Sequence, residues 1–305
     1  MDTKSFGGRI AGLIRRTVFS ESHAEVVHNS EQAPKANPKG SSTPLSAVFV
    51  GCARSAVPHL SRVLANIERL SKYYGRVAFV FVENDSTDST KSKLKRWLRD
   101  RSNGHLLELD GLAARLPART HRIAQARNAY IDFLKSDFEA YQHLVVFDFD
   151  DVNANEIDMD GFASAVAFLE SDAAVQGVFA NSRPVYYDIW ALRHESWCPS
   201  DCWEEVRDCR SLTYRLAVER FVYSRQIPIA SDSPPIPVQS AFGGLGVYRL
   251  PAALTGRYRG LTENGLEICE HVAFNRDVSR RGQLYIYPAL RNTAPPEHLG
   301  LNPSP

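Results

Sequence analysis

Cysteine is scarce, with five in 305 residues. That excludes a disulfide-stapled scaffold, and the odd count excludes complete pairing, which points to a reducing compartment. Cys198, Cys202 and Cys209 cluster, but Cys198-Pro-Ser-Asp-Cys202 has no second pair at zinc-ligand spacing. Ordinary thiols, or one local disulfide, fit better. Net charge is equally small: 36 Lys and Arg against 35 Asp and Glu leave +1. No basic field therefore marks a nucleic-acid binder, and no acidic tail exists. No apolar run approaches the roughly 18 residues of a membrane-spanning helix. Arg9, Arg15 and Arg16 interrupt the apolar residues near the start, so residues 6–19 (FGGRIAGLIRRTVF) do not read as a signal peptide. A short basic amphipathic helix is expected there, able to lie on an anionic membrane or to dock on a partner. Internal repeats are absent as well.

What is present is an ordinary globular composition, 44% hydrophobic and 23% charged, on a chain long enough to bury a core unaided. Residues 22–45 are rich in Ser, Asn, Pro, Gly and Lys and read as a linker. The expected organisation is a flexible amino-terminal segment over 1–44 and one folded domain over 45–305. Apolar runs at 47–50, 77–82, 106–109, 144–147 and 175–180 read as strands. Between them, 58–71, 88–98, 122–134 and 161–169 carry helical spacing. This alternation predicts an α/β, Rossmann-like, mostly parallel sheet flanked by helices, with any ligand at the carboxyl ends of the strands. A further helix is expected near 203–224.

The polar residues ending the strands are therefore the first candidates. Glu83-Asn84-Asp85-Ser86-Thr87-Asp88 follows the second strand. Glu83 and Asp85 there could take ribose hydroxyls and base edges, while Ser86, Asp88 or Ser89 could cap the next helix. Asp148-Phe149-Asp150-Asp151 follows the fourth strand. Three carboxylates so close repel one another unless a cation intervenes, and Mg²⁺ or Mn²⁺ bridging to a diphosphate suits them. Arg127, beside Asn128 in a helical segment, could pair with a phosphate or with that acidic group. Phe242-Gly243-Gly244-Leu245-Gly246 suggests close backbone approach to a ligand, or a bulge. Glu270-His271 opens an amphipathic segment and could supply a general base and a ligand. His298 lies in a Pro-rich tail and matters only if that tail folds back.

Taken in order, these segments resemble a nucleotide-sugar-dependent glycosyltransferase of the GT-A fold over about residues 45–300. Glu83 to Asp88 looks like the strand-end acidic motif of family 2 transferases. Ala126-Arg127-Asn128 looks like their helical motif, and Asp148 to Asp151 looks like the DxD motif. The run Glu83 to Thr90 also resembles fungal capsule-associated mannosyltransferases. The glycine stretch followed by Glu270 is similar to the Gly-Gly … Glu-Asp arrangement of inverting galactosyltransferases, with Glu270-His271 in place of Glu-Asp. The resemblance implies nucleotide contacts from Ala53, Arg54, Glu83, Asp85, Arg127 and Asp148. It implies Mn²⁺ or Mg²⁺ held by Asp150 and Asp151 with His298 or His271, and Glu270 as the base. It further implies a nucleotide-sugar donor, a glycan or lipid-linked acceptor, and a cytoplasmic location with peripheral membrane contact. The aromatic residues of 186–190 and 197–203 would stack on sugar faces, or simply pack. Two other readings compete: a haloacid-dehalogenase-like phosphatase with Asp148 as nucleophile, and a non-catalytic nucleotide-sugar-binding protein.

Overall fold

The computed structural model describes residues 44–101 and 103–300. The expected amphipathic helix over 6–19 and nearly all of the linker lie outside them. The first half alternates strictly: β1 (Ser46–Ala53), α1 (Val57–Ser71), β2 (Arg76–Glu83), α2 (Thr90–Arg99), β3 (Gly104–Glu108), α3 (Leu112–Arg115), α4 (Arg119–Asp137), β4 (His143–Asp148), α5 (Met159–Ser171) and β5 (Val175–Arg183). The second half adds α6 (Cys202–Asp208), α7 (Tyr214–Phe221), β6 (Ile236–Val238), β7 (Leu245–Arg249), α8 (Leu250–Ala253), α9 (Glu270–Val278) and β8 (Gln283–Thr293). Every strand and helix expected in the first half is present; most are longer, while α2 starts two residues later than expected and β3 ends one residue earlier. The helix expected near 203–224 is instead two, because the intervening segment ends at Thr213, whose hydroxyl accepts the Leu216 N–H and starts a new helix.

The eight strands run in the order β3-β2-β1-β4-β7-β5-β8-β6. Pairings within β3-β2-β1-β4 and between β5 and β8 are parallel, and β7 enters antiparallel between β4 and β5. The parallel strands are covered on both faces, which explains their unbroken apolar runs. One core layer lies under α4 and α9, and the other under α1, α2 and α5. β8 went unread in the sequence because its residues alternate between buried and half-buried, so it lacks an apolar run.

Register fixes the chemistry. Ala53 pairs with Glu83, and Cys52 with Asp148, so these residues share one row at the carboxyl edge. Because β7 runs the opposite way, its entry at Gly243-Gly244 reaches the same edge. There Gly244 O accepts the Asp148 N–H at 2.9 Å. Gly243 has φ +65°, and a Cβ on it would sit 2.5 Å from Ala180 O, so only glycine brings β7 this close to β5.

Candidate active site

Arg127 is the hub of this edge. Its helix, α4, turns Ala124, Arg127, Asn128, Ile131 and Leu134 inward, the spacing of one helix face. Arg127 is 4% exposed, yet its Nη2 reaches Asp148 Oδ1 at 2.7 Å and its Nε reaches Glu270 Oε1 at 3.0 Å. Burial works against the charge, but Asp148, Tyr130 and Glu270 outweigh it and keep the guanidinium protonated. Its Nη1 is buried with no partner. Thus α4, β4 and the first turn of α9 are joined through one side chain. Asn128 plays a different part: it clamps the Tyr258 backbone, giving its Nδ2 to Tyr258 O at 2.9 Å and accepting the Tyr258 N–H at 3.0 Å.

Asp150 is exposed to solvent, yet protein surrounds its carboxyl on several sides. That enclosure, with the charges of Asp148 and Asp151, pushes its pKa up to about 8, and Arg119 only partly opposes them. Among the described residues, no three His, Cys, Asp or Glu side chains converge closely enough to hold a metal ion by themselves. The donor chemistry still fits a hard divalent cation that takes its remaining oxygens from a ligand. Crowded carboxylates of raised pKa would be relieved by such a charge.

The histidines are placed differently. The tail does fold back: His298 is exposed and stacks on Tyr187, with ring centroids 5.8 Å apart. Tyr187 in turn lies within the field of Asp188, Asp150 and Asp148. His298 therefore stands at the rim of the acidic group. His271 is buried, stacked on Phe242 at 3.7 Å and edge-on to Tyr258 at 5.4 Å; neither ring nitrogen makes a hydrogen bond, and Nε2 lies 3.7 Å from Glu270 Oε1. Burial, and then Arg127, hold its pKa well below the usual histidine value, so it is neutral.

On the other side of the row, the two loops after β1 and β2 lace together. Ser86 Oγ accepts the Ser55 N–H at 2.9 Å, and Thr90 Oγ1 accepts the Ala56 N–H at 2.8 Å. Asp88 accepts the first N–H groups of both α1 and α2, from Val57 at 3.2 Å and Thr90 at 2.9 Å. Glu83 is fully buried; it accepts the Ser86 N–H at 2.8 Å and faces Lys91 Nζ at 3.3 Å. It braces this loop and presents no surface to a ligand. Asp85, half-exposed at φ +53°, accepts the N–H groups of Gly111 at 2.6 Å and Ala113 at 2.7 Å. Desolvation is the largest single influence and works the other way, yet the bonds from Ala113, Asn84 and Gly111, with the charge of Arg54, together hold its carboxyl below the usual range. Ala53 is buried, and Arg54 is exposed beside Asp85.

Several residues acquire roles their sequence context did not show. Asp188, half-exposed in the loop after β5, accepts the Gly243 N–H at 2.9 Å and the Ala191 N–H at 3.3 Å. Burial, together with Asp148 and Glu270, raises it to about 6 against those hydrogen bonds. Its one signal was a carboxylate just past a strand's carboxyl end. Asn153 donates to Asp148 O at 3.0 Å and Gly244 O at 2.7 Å. Glu267 accepts the Thr120 N–H at 2.9 Å and so caps α4. The aromatic segment divides: Tyr186 is wholly buried against Trp197, and Trp197 and Trp190 donate to Arg225 O and Asp201. These are packing roles, whereas Tyr187 is half-buried beside the acidic group and stacks on His298. All five cysteines are free thiols. Burial pushes Cys52, beside Asp148, up to about 12, so it stays protonated.

No protein-family profile and no curated protein matches the sequence. Solved structures that the chain matches include the mannosyltransferase PcManGT from Pyrobaculum calidifontis in complex with GDP-Man and Mn²⁺. That match has 15% identity over 83% of this chain and 57% of that one, with a TM-score of 0.46. GalNAc-T7 with UDP, GalNAc and Mn²⁺ matches at 14% identity over 83% and 44% of the two chains, with a TM-score of 0.45. TarS 1-349 of S. aureus matches at 12% identity over 83% and 61%, with a TM-score of 0.47. This chain thus spans between 44% and 61% of their lengths. At these values nothing about substrate or metal passes from them to this chain. What it shares with the expectation from sequence is the α/β architecture, a helix-flanked and mostly parallel sheet whose carboxyl edge gathers the acidic residues.

Proposed function

We propose that the chain is a metal-dependent glycosyltransferase. It would move a hexose from a nucleotide-sugar donor to a glycan or lipid-linked acceptor in surface polysaccharide synthesis. The observation that carries this reading is the row Asp148–Arg127–Glu270 at the carboxyl edge, with the exposed Asp150 two residues from Asp148.

Transfer breaks the bond from the anomeric carbon to a diphosphate oxygen, and negative charge grows on the leaving diphosphate. Mn²⁺ or Mg²⁺ at Asp150 and Asp151, with His298 at the rim, would neutralise that charge when bound. Arg127 adds a fixed positive charge and holds Asp148 in place. Asp85 and Arg54 lie on the side proposed for the nucleotide. Glu270, at the start of α9, is the carboxylate proposed to receive the acceptor's hydroxyl proton in a direct, inverting displacement. Among the described residues, no helix is long and apolar enough to cross a membrane. A place at the cytosolic face, with peripheral contact through residues 6–19, completes the proposal.

The test is to incubate the protein with UDP- and GDP-hexoses and follow release of the nucleoside diphosphate. Release that requires Mn²⁺ or Mg²⁺ supports the reading. Release of inorganic phosphate from a phosphomonoester such as p-nitrophenyl phosphate, with no nucleoside diphosphate released from any nucleotide sugar, would make the protein a phosphatase instead.

A further inference from the structure

Among the described residues, three carboxylates near Arg127 have no ion-pair partner: Asp150 and Asp151, proposed above for the metal, and Asp188. Asp148 and Glu270 share Arg127, Asp201 has Arg193, and Glu205 has Arg225. Asp188 is held only by the N–H groups of Gly243 and Ala191. Each of its oxygens keeps a free lone pair, and the side chain is half-open to solvent.

Its position is rigidly set. The turn that gives Asp188 the Gly243 N–H also receives the Asp148 N–H on Gly244 O. The preceding residue, Phe242, stacks on His271 and lies under the Arg127 guanidinium, 5.2 Å from the ring centroid. One three-residue turn therefore spaces Asp188 from Asp148 and from the Arg127–Glu270 pair.

The charge of this region selects the ligand. Burial raises the pKa of Asp188, and the charges of Asp148 and Glu270 add to it, so all three carboxylates act in one region. Arg127 offsets one of these three carboxylates and leaves the group net negative, so a phosphate or carboxylate brought there without a cation would be repelled. A neutral group that donates hydrogen bonds would supply what Asp188 lacks.

We infer that Asp188 binds a hydroxyl of a neutral sugar acceptor, so that the unit receiving the hexose is a glycan residue rather than a phosphate-bearing group. This rests on the transferase reading above. A hydrogen bond from a neutral hydroxyl to a charged group is worth about a 10- to 100-fold change in half-saturation.

The experiment measures donor consumption against rising concentrations of neutral methyl hexopyranosides and, separately, of farnesyl phosphate, in wild type and in Asp188→Asn. Donor binding by calorimetry with Mn²⁺ checks that the variant remains folded and donor-competent. Asp188→Glu, which keeps the charge but moves it by one methylene, is the second variant. The expected result is stimulation by a methyl hexopyranoside and not by farnesyl phosphate. Asp188→Asn should raise half-saturation at least tenfold with donor affinity unchanged, and Asp188→Glu should fall between. Unchanged half-saturation in Asp188→Asn would overturn the inference, as would stimulation by farnesyl phosphate alone. Loss of donor binding in Asp188→Asn would move the residue to the donor side and also overturn it. A wild type that consumes no nucleotide sugar at all would instead remove the transferase reading itself.

Discussion

Replacing Arg127 by methionine keeps most of the side chain's length and removes its charge. Two carboxylates then lose their cation together: Glu270, whose side chain is 9% exposed, and Asp148, at 28%. Breaking a buried ion pair by removing one partner costs about 3–5 kcal/mol, because the remaining charge is left uncompensated. Asp148 is open enough for water to soften its share, which argues for the lower end, about 3 kcal/mol. For a domain of this size, each kcal/mol corresponds to about 2–4 °C in Tm, so Arg127→Met should melt roughly 6–12 °C lower. Thermal unfolding followed by circular dichroism measures it. Adding Glu270→Gln to Arg127→Met should recover part of the loss, since one of the orphaned charges is gone. A Tm within 2 °C of wild type, or a double variant less stable than the sum of the singles, would refute the bridging role.

Three further expectations follow from the same geometry. Asp150 titrates at about 8 in the folded chain against an ordinary value of 3.8, so the folded state holds a proton that the unfolded chain has released. Metal-free stability should fall as pH rises from about 4 to 8, and Asp150→Asn should flatten that slope in a pH series of melts. Glu270→Gln should lower turnover by about 10²–10⁴ with donor affinity near normal, read from steady-state rates beside calorimetry; normal turnover would shift the base elsewhere. Gly243→Ala should cost about 1–3 kcal/mol, because alanine at φ +65° would press its Cβ on Ala180 O and displace the N–H that Asp188 uses; denaturant titration tests it.

The sheet was legible because its parallel strands are buried on both faces and so appear as apolar runs, 77–82 being the clearest. The acidic group after β4 was legible as an abrupt change from apolar to charged residues. Other parts were hidden for physical reasons. β8 is amphipathic by alternation, and its pairing with β5 depends on contacts more than 100 residues apart. The fate of each strand-end polar residue could not be read locally, because hydrogen bonding decides it: Glu83 turns inward to Ser86 and Lys91, while Asp85 caps α3 across the loop. Arg127 illustrates the opposite case. Its residue type suggested pairing with an acidic cluster, and the fold delivers Asp148 from β4 and adds Glu270 from 143 positions away.

The central claim is that Asp150 and Asp151 hold a divalent ion through which a nucleotide sugar binds. Isothermal titration of UDP- and GDP-hexoses into the protein, with Mn²⁺, with excess chelator, and with Asp150→Asn, tests it directly. At least one nucleotide sugar should bind wild type in Mn²⁺, and the chelator and the substitution should each abolish most of that affinity. Binding that is indifferent to both would contradict it.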